Sequence, residues 1–350
     1  MSPAESGLSV HKAAPQGRRQ RPGPHNEHGV GTSMSVRNIL GDNYAFVFPG
    51  QGSQVVGMGK DLAAASPAAR EALAEADAVL GMPLTQLCFE GPAEELEDTY
   101  NAQPAILAVS VAALRALEAR ANDAALPLTP MLVAGHSLGQ FTAMVAADVL
   151  DYADALRLVR ERGRLMKAAG QERPGGMAAV LGLDDATLAA VCEDASSTGI
   201  VNIANRNCPG QTVISGEIAA LERAMALARE AGAKRVARLP VSIASHSPLM
   251  ADVSRQLNEI LDEMPLREPR GPIVANTSGQ PVRTVEALRD ELRHHVERGV
   301  NWTGTIRTMC DAGVRTFIEL GAGTVLAGLN RRIDRDAVTI GAGDLGLVAA

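Results

Sequence analysis

Aromatic side chains and cysteines are both scarce in this sequence. Phe, Trp and Tyr together make up 3% of the 350 residues, whereas hydrophobic residues as a whole make up 46%. The core must therefore be built mainly from Ala, Val, Leu, Ile and Met. The cysteines lie far apart and form no Cys-x-x-Cys pair, so neither a zinc site nor a disulfide framework is indicated. The four cysteines are Cys88, Cys192, Cys208 and Cys310. A chain without paired cysteines suits a reducing environment, so we expect a cytoplasmic location.

Excess positive charge and long apolar runs are also missing. The formal net charge is −7, which argues against the basic surface that nucleic-acid-binding domains present. No apolar run is expected to reach the length that a membrane-spanning helix requires. We therefore expect neither nucleic acid nor a membrane as a partner.

Residues 1–42 differ in composition from the rest of the chain. Pro, Gly, Ser and Arg dominate, hydrophobic periodicity is absent, and there is no apolar segment of the kind found in secretory signals. Arg18, Arg19 and Arg21 would suit an organelle transit peptide, but the scattered Pro and Gly oppose the amphipathic helix that such peptides form. We predict a disordered leader over these residues.

The stretch from Met131 to Gln140 has the pattern of a nucleophile elbow. Four apolar residues predict a short buried strand, Gly135-His-Ser137-Leu-Gly139 predicts a tight turn, and a helix begins at Gln140. Such a turn presents its serine at the helix N-terminus, where backbone N–H groups favour developing negative charge. Ser137 is therefore the candidate nucleophile. The alternative is an ordinary strand-to-helix turn with a capping serine.

Strands and helices alternate through most of the chain, which predicts an α/β fold with a parallel sheet. Among the predicted elements are helices over about Pro104–Arg120, Asp185–Ala195 and Val325–Ile333, and a turn over Asn207–Gln211. The loop around Gln51 and the turn at Ser137 both follow strands, at the sheet edge where ligands bind in such folds. Residues 172–244 have a different pattern, the order β-α-β-β-α-β of a ferredoxin-like unit. We predict a small domain of this type, inserted into a large domain that comprises residues 43–171 and 245–350.

A serine nucleophile needs a base, so a histidine must accompany Ser137. His246 stands where the inserted segment rejoins the large domain, next to the expected cleft between the domains; the alternative is a histidine that caps the following helix. His136 adjoins the nucleophile, and we expect its backbone geometry to direct it elsewhere. His294 and His295 are predicted in a charged, exposed helix, where neighbouring side chains point to different faces and do not share a metal.

Arg162 is predicted on the apolar face of a helix over Tyr152–Ala169. It follows Val159 by three residues and precedes Met166 by four. A guanidinium in that position requires an anion, because an unpaired buried charge is costly. A substrate carboxylate, a structural carboxylate and exposure of the head group to water all remain open.

These features, with others along the chain, resemble the malonyl-CoA:acyl carrier protein transacylases. The resemblance runs from about Tyr44 to Gly341 and rests on several motifs in the order and spacing of that family. The motifs are Phe46-Val-Phe-Pro-Gly-Gln-Gly-Ser-Gln54, Gly135-His-Ser-Leu-Gly139, Arg162-Gly163, Asn207-Cys-Pro-Gly-Gln211 and Ser245-His246.

The resemblance implies a hydrolase-like large domain with a ferredoxin-like small domain, and an acyl transfer of the ping-pong type. By position, Ser137 would carry the malonyl group, His246 would be the base, and Arg162 would hold the malonyl carboxylate. The backbone N–H groups of Gln51 and Leu138 would form the oxyanion hole. The implied substrates are malonyl-CoA, a CoA thioester, and acyl carrier protein, with no bound cofactor and no metal. We expect a cytoplasmic monomer.

Three positions depart from the pattern of this family. Gln140 stands where the family usually has Glu, and His295 stands where Gln is common. In relatives, the position of His295 helps to orient the catalytic histidine, partly through its backbone carbonyl. Ile243-Ala-Ser-His246 blends the signatures of malonyl- and methylmalonyl-selective relatives, so a methylmalonyl-selective polyketide acyltransferase stays an alternative. An acyl-thioester hydrolase on the same fold is another, although Arg162 favours a carboxylated substrate.

Overall fold

The computed structural model of the chain describes residues 40–348. Residues 1–39 of the predicted leader (residues 1–42) lie outside the described residues. Leu40 is already buried, and the first strand begins at Tyr44. The strands are β1 (Tyr44–Phe48), β2 (Leu132–Gly135), β3 (Gly175–Leu181), β4 (Val201–Cys208), β5 (Gln211–Glu217), β6 (Arg235–Arg238), β7 (Ile273–Val274), β8 (Pro281–Val282), β9 (Thr316–Glu319) and β10 (Val338–Ile340).

The helices between these strands are mostly short, with two long exceptions. Two 3-10 turns, Ser196–Thr198 and Pro248–Met250, accompany them. The α-helices are α1 (Lys60–Ala65), α2 (Pro67–Leu80), α3 (Leu84–Glu90), α4 (Ala93–Glu97), α5 (Thr99–Asp123), α6 (Gly139–Ala146), α7 (Tyr152–Glu172), α8 (Asp185–Ala195), α9 (Ile218–Glu230), α10 (Ala251–Glu263), α11 (Val285–Arg293), α12 (Trp302–Asp311) and α13 (Val325–Ile333).

Six strands form a largely parallel sheet in the order β10-β9-β1-β2-β7-β8. Every pair in it is parallel except β7 with β8. The central strand β1 is buried along its whole length, and its unbroken apolar sequence is typical of a parallel strand covered on both faces. The predicted α/β fold with a parallel sheet is therefore confirmed.

The register of this sheet brings three loops to one edge. Phe48 at the end of β1 lies opposite Gly135 at the end of β2. Val274 at the end of β7 lies opposite Ala134, one residue earlier in β2. Because parallel strands end at the same edge, the loop after β1, the elbow after β2 and the loop after β7 are neighbours. The carboxyl edge of such a sheet is where ligands bind.

The second sheet has four strands in the order β4-β5-β3-β6, and all its pairs are antiparallel. Its apolar residues pack with those of α8 and α9 in a separate cluster. The turn predicted over Asn207–Gln211 is shorter than expected, since Asn207 belongs to β4 and Gln211 to β5. Only Pro209 and Gly210 connect these strands, and Gly210 takes the positive φ of 71° that the tight turn demands.

Helix α5 is the main buried helix of the large sheet region. Among the described helices, it is the one that is long and apolar enough, by composition alone, to cross a membrane. The expectation that no run reaches that length was therefore wrong. In its most apolar window 83% of the residues are buried inside the fold, as in a core helix. The helix also begins at Thr99, earlier than the predicted start at Pro104, with Asp98 capping the N–H of Tyr100.

Candidate active site

Ser137 lies at a sharp turn between β2 and α6, as the elbow pattern predicts. Its φ is +48°, a conformation that side-chain-bearing residues rarely adopt. The flanking glycines make the turn possible: a Cβ on Gly135 would lie 1.8 Å from the carbonyl carbon of Gly139, and one on Gly139 would lie 2.2 Å from the carbonyl oxygen of Phe48. The backbone thus places Ser137 at the tip of a tight turn beyond the carboxyl edge of the sheet.

His246 is hydrogen-bonded to Ser137 across the cleft. Its Nε2 lies 2.8 Å from the Ser137 Oγ, and its Nδ1 lies 2.9 Å from the carbonyl oxygen of Arg298. Since a carbonyl can only accept, Nδ1 carries the proton, and Nε2 is left to accept the proton of Ser137. Ser247 caps the 3-10 turn that follows, because its Oγ accepts from the N–H of Leu249. His246 therefore does not cap that turn, which was the alternative that the sequence left open.

The His246 imidazole is neutral in this environment. It is buried, and burial, followed by the nearby Arg162 charge, lowers its pKa to about 3. The backbone fixes its position, because its N–H donates to the carbonyl of Val296 at 2.8 Å and its own carbonyl accepts from Asn202 Nδ2 at 2.8 Å. A neutral, oriented imidazole beside a hydroxyl has the arrangement of a general base.

Arg162 is buried beside the nucleophile without a carboxylate partner. Its side chain projects from α7 with only 2% of the residue exposed, and in the described part of the chain no carboxylate forms an ion pair with it. One terminal nitrogen donates to Gln103 Oε1 at 2.7 Å, and the other to Ser137 Oγ at 3.3 Å. The Nε has no partner within residues 40–348.

The guanidinium of Arg162 is therefore a buried cation that is only partly satisfied. Burial lowers its pKa to about 9, so it stays charged at neutral pH. Of the three outcomes that the sequence left open, exposure of the head group and a structural carboxylate are both contradicted by the burial and the partners. What remains is a bound anion, which would restore the missing charge-assisted bonds.

Gln51 and Leu138 occupy the two sides of this site with unused backbone donors. Gln51 lies in the loop after β1, and Leu138 follows the nucleophile at the start of α6. Among the described residues, neither backbone N–H donates to another group. Unpaired N–H groups at a helix N-terminus and an adjoining loop can bind a developing oxyanion.

A cavity of about 410 Å³ opens over these residues. Gln51, Ser137, Arg162 and His246 line it together. This volume falls in the range of small-molecule sites. Its remaining walls are mixed: the apolar ones include Met166, Met177, Leu239, Val241 and Ile243, and the polar ones include Gln54, Glu97, Thr99 and Asn205.

The other candidate histidines do not contact Ser137 as a base would. His136 Nε2 lies 2.9 Å from Asn207 Oδ1, so its ring points away from the nucleophile as expected. His294 and His295 follow α11, which ends at Arg293, instead of lying in a helix as predicted. His294 is half-buried next to Glu297. His295 is buried, which the sequence did not predict, and its ring packs 6.1 Å from that of His246.

Two backbone groups orient the His246 ring. The carbonyl of Arg298 lies 2.9 Å from its Nδ1. The backbone of His295, the position that helps to orient this histidine in relatives, forms a weaker hydrogen bond that raises the pKa of His246. Neither ring nitrogen of His295 has a hydrogen-bond partner at normal distance within the described residues, and its ring packs edge-on against that of His246.

Asn276 is a site residue that sequence reasoning missed. Its Oδ1 accepts the backbone N–H of Ser137 at 2.7 Å, and its Nδ2 donates to the carbonyl of Gly135 at 2.8 Å and to Gln140 Oε1. Its own N–H donates to the same Gln140 oxygen at 3.0 Å. One signal could have found it: a polar residue two positions after the buried strand β7, at the carboxyl edge of the sheet.

Comparison with known proteins gives one consistent family. Residues 45–338 match the acyl transferase domain family. The chain is 45% identical over 290 residues to the malonyl CoA-acyl carrier protein transacylase of Escherichia coli (strain K12), covering 83% of this chain and 92% of that protein. It is 42% identical over 301 residues to the transacylase of the same name from Bacillus subtilis (strain 168), covering 86% and 93%.

Solved structures give the same result. The malonyl-CoA:acyl carrier protein transacylase of Xanthomonas oryzae pv. oryzae superposes with a TM-score of 0.82 at 41% identity, covering 88% of this chain and 99% of that one. A malonyl-transacylase solved in complex with its type II PKS acyl-carrier protein superposes with a TM-score of 0.82 at 40% identity, covering 86% and 96%.

Proposed function

The chain belongs to the acyl transferase domain family, and on this basis we propose that it transfers a malonyl group from malonyl-CoA to the phosphopantetheine thiol of acyl carrier protein. One observation carries the choice of acyl group. The buried guanidinium of Arg162 has no carboxylate partner among the described residues and lies 3.3 Å from the Ser137 hydroxyl, which itself is bonded to His246. A malonyl thioester has a carboxylate close to its reacting carbon, and the site offers that carboxylate a cation.

In the first half-reaction Ser137 attacks the thioester carbonyl of malonyl-CoA. The hydroxyl proton passes to His246 Nε2 as the new C–O bond forms. The backbone N–H groups of Gln51 and Leu138 bind the oxygen that becomes negative. The carbon–sulfur bond then breaks, and CoA leaves as a thiol with the proton that His246 held. Ser137 is left as its malonyl ester.

In the second half-reaction the phosphopantetheine thiol of acyl carrier protein replaces CoA. His246 accepts the thiol proton, the sulfur attacks the ester carbonyl, and the same two N–H groups bind the oxyanion. The carbon–oxygen bond breaks, and Ser137 recovers its proton from His246. These steps need no metal and no redox cofactor, since the CoA thioester supplies the activated acyl group.

The remaining expectations from the sequence extend this proposal. Residues 172–244 would form a ferredoxin-like small domain, which the β-α-β-β-α-β order of β3 to β6 with α8 and α9 supports. Residues 43–171 and 245–350 would form the hydrolase-like large domain. We further propose that the protein acts as a cytoplasmic monomer and binds neither nucleic acid nor a membrane.

A competition between thiol and water tests the transfer. The protein is mixed with malonyl-CoA, and the release of CoA is followed with and without holo-acyl carrier protein. We expect one rapid equivalent of CoA without the carrier protein, and continuous release with stoichiometric malonyl-carrier protein when it is present. Continuous release at the same rate in its absence would identify an acyl-thioester hydrolase and refute the transfer.

A further inference from the structure

We propose that Thr99 is a positioning residue that couples the acyl-carboxylate site at Arg162 to the oxyanion loop at Gln51. This inference rests on the proposed function, because it takes the backbone N–H of Gln51 to bind the oxyanion. It adds to that function a physical connection between recognition of the substrate carboxylate and stabilisation of the transition state.

An uninterrupted series of hydrogen bonds joins the two sites. Arg162 donates to Gln103 Oε1 at 2.7 Å, and Gln103 Nε2 donates to Thr99 Oγ1 at 2.9 Å. Thr99 Oγ1 in turn donates to the side-chain Oε1 of Gln51 at 2.9 Å. The series thus begins at the buried cation and ends on the residue whose backbone N–H faces the site.

The cation sets the direction of every bond in this series. A guanidinium has only donors, so the oxygen of the Gln103 amide must face Arg162, and its NH₂ group must face Thr99. The Thr99 hydroxyl accepts that bond and has one proton, which is left for Gln51. Bonds aligned in one direction polarise each other, and Thr99 is the member that both accepts and donates.

The local fold brings Thr99, Gln103 and Arg162 together in the protein interior. Thr99 and Gln103 are one turn apart in α5, so they lie on the same face of the helix, and Gln103 is fully buried. Helix α7 approaches closely because residue 163 is glycine: a Cβ there would lie 2.6 Å from the carbonyl oxygen of Thr99. Arg162 therefore reaches Gln103 directly.

The bond from Thr99 is the side-chain contact that attaches Gln51 to a helix. The Gln51 loop contains Gly50 and Gly52, the latter with a φ of +101°, and Gln51 is exposed. The bonds from Ser53 to the carbonyl of Gly50 lie within the loop and do not attach it to a helix. The bond from Gly57 N–H to the carbonyl of Cys88 holds the far end of the loop, whereas the bond from Thr99 attaches residue 51 itself to α5.

Isosteric replacement of Thr99 tests the positioning role. Thr99→Val removes the hydroxyl at nearly constant shape, and Thr99→Ser keeps it. We expect the rate constant for acylation of Ser137 at saturating malonyl-CoA to fall about tenfold in Thr99→Val, since a small displacement of an oxyanion donor is costly. Thr99→Ser should stay within about twofold of wild type. An unchanged rate in Thr99→Val would overturn the proposal.

Two further variants separate positioning from folding. Ser110→Ala, in the same helix, removes a buried hydroxyl that has no partner in the described region, and it should acylate like wild type. Gln51→Met breaks the same bond from its exposed end and keeps the backbone N–H. We expect Gln51→Met to show the same fall in acylation rate as Thr99→Val. Both variants should unfold cooperatively in a thermal melt, which shows that they are folded. A full rate in Gln51→Met would likewise overturn the proposal.

A double-mutant cycle tests the coupling itself. In an Arg162→Ala background the series has lost its anchor, so adding Thr99→Val should change the acylation rate by less than about twofold. A tenfold loss in both backgrounds would show that Thr99 serves the loop independently of Arg162, and would overturn the coupling. A wild-type protein that malonyl-CoA does not acylate would overturn the proposed function as well, which distinguishes the two failures.

Discussion

Replacing Arg162 by Ala is the most informative change to the substrate site. The side chain is buried, contacts the nucleophile and has an unpartnered Nε within the described residues. The variant removes the cation and leaves the pair of Ser137 and His246 in place. We expect it to lose far more activity on malonyl-CoA than on acetyl-CoA, whose loss should not exceed the roughly tenfold that displacement of the Gln51 loop would cause.

The magnitude follows from the bonds that a carboxylate would make. A guanidinium can hold a carboxylate through two parallel charge-assisted bonds, and a bond to a charged group contributes about 1.5–3 kcal/mol. Two such bonds contribute at least about 3 kcal/mol, which corresponds to about 10² in rate at about 1.4 kcal/mol per factor of ten. We therefore expect kcat/KM for malonyl-CoA to fall by about 10² or more.

The assay compares both thioesters across a matched series of variants. Transfer to holo-acyl carrier protein is measured with malonyl-CoA and acetyl-CoA for wild type, Arg162→Ala and Arg162→Lys. Lys should rescue only partly, because an ammonium lacks the planar fork. Arg164→Ala serves as the control, since Arg164 lies on the exposed side of the same helix and pairs with Glu161; its rates should equal those of wild type.

The comparison of the two substrates decides the outcome. A loss that is at least about tenfold greater for malonyl-CoA than for acetyl-CoA identifies Arg162 as the carboxylate site. If the malonyl and acetyl rates fall by the same factor, Arg162 is a structural residue and the substrate assignment is wrong.

Three further predictions concern the nucleophile and its base. His246→Ala should lower acylation by about 10²–10⁴, and normal acylation in that variant would exclude His246 as the base. Because the pKa of His246 is lowered from 6.5 to about 3, the base stays neutral as the pH falls, so single-turnover acylation should be flat from about pH 8 to 5; a decline centred near pH 6.5 would contradict this. Asn276→Ala should lower acylation about tenfold and also the melting temperature, since it leaves the Ser137 N–H without its partner; unchanged values of both would disprove its role.

Local chemistry made much of this site predictable from the sequence. Gly135 and Gly139 flank Ser137 at a turn that only small residues permit, and this pattern is specific enough to locate a nucleophile. Arg162 stands out because a charged residue on an apolar helix face needs an explanation. Helix α8 and helix α13 have the bounds that their patterns predict.

The parts that were missed depend on contacts between distant segments. Asn276 and Ser137 are separated by 139 positions, and no local pattern joins them. The partner of His246 is a backbone carbonyl, which any residue supplies, so the sequence at Arg298 carries no signal for it. His295 was predicted to be exposed from its charged neighbours, but it packs against the rings of Phe141 and His246.

Short elements and helix starts were also hard to predict. The strands β8 and β10 contain few residues, too few to show a periodicity. Helix α5 was predicted from its apolar pattern to start at about Pro104, whereas the cap at Asp98 sets the actual start. The difference matters, since Thr99 and Gln103 belong to the missed turn.

The most direct test of the covalent mechanism is the mass of the protein after mixing with malonyl-CoA alone. Intact-protein mass spectrometry should show one added malonyl group, which peptide mapping should assign to Ser137. The Ser137→Ala variant should show no addition. A wild-type protein that stays unmodified while it transfers malonyl to acyl carrier protein would contradict the malonyl-serine intermediate.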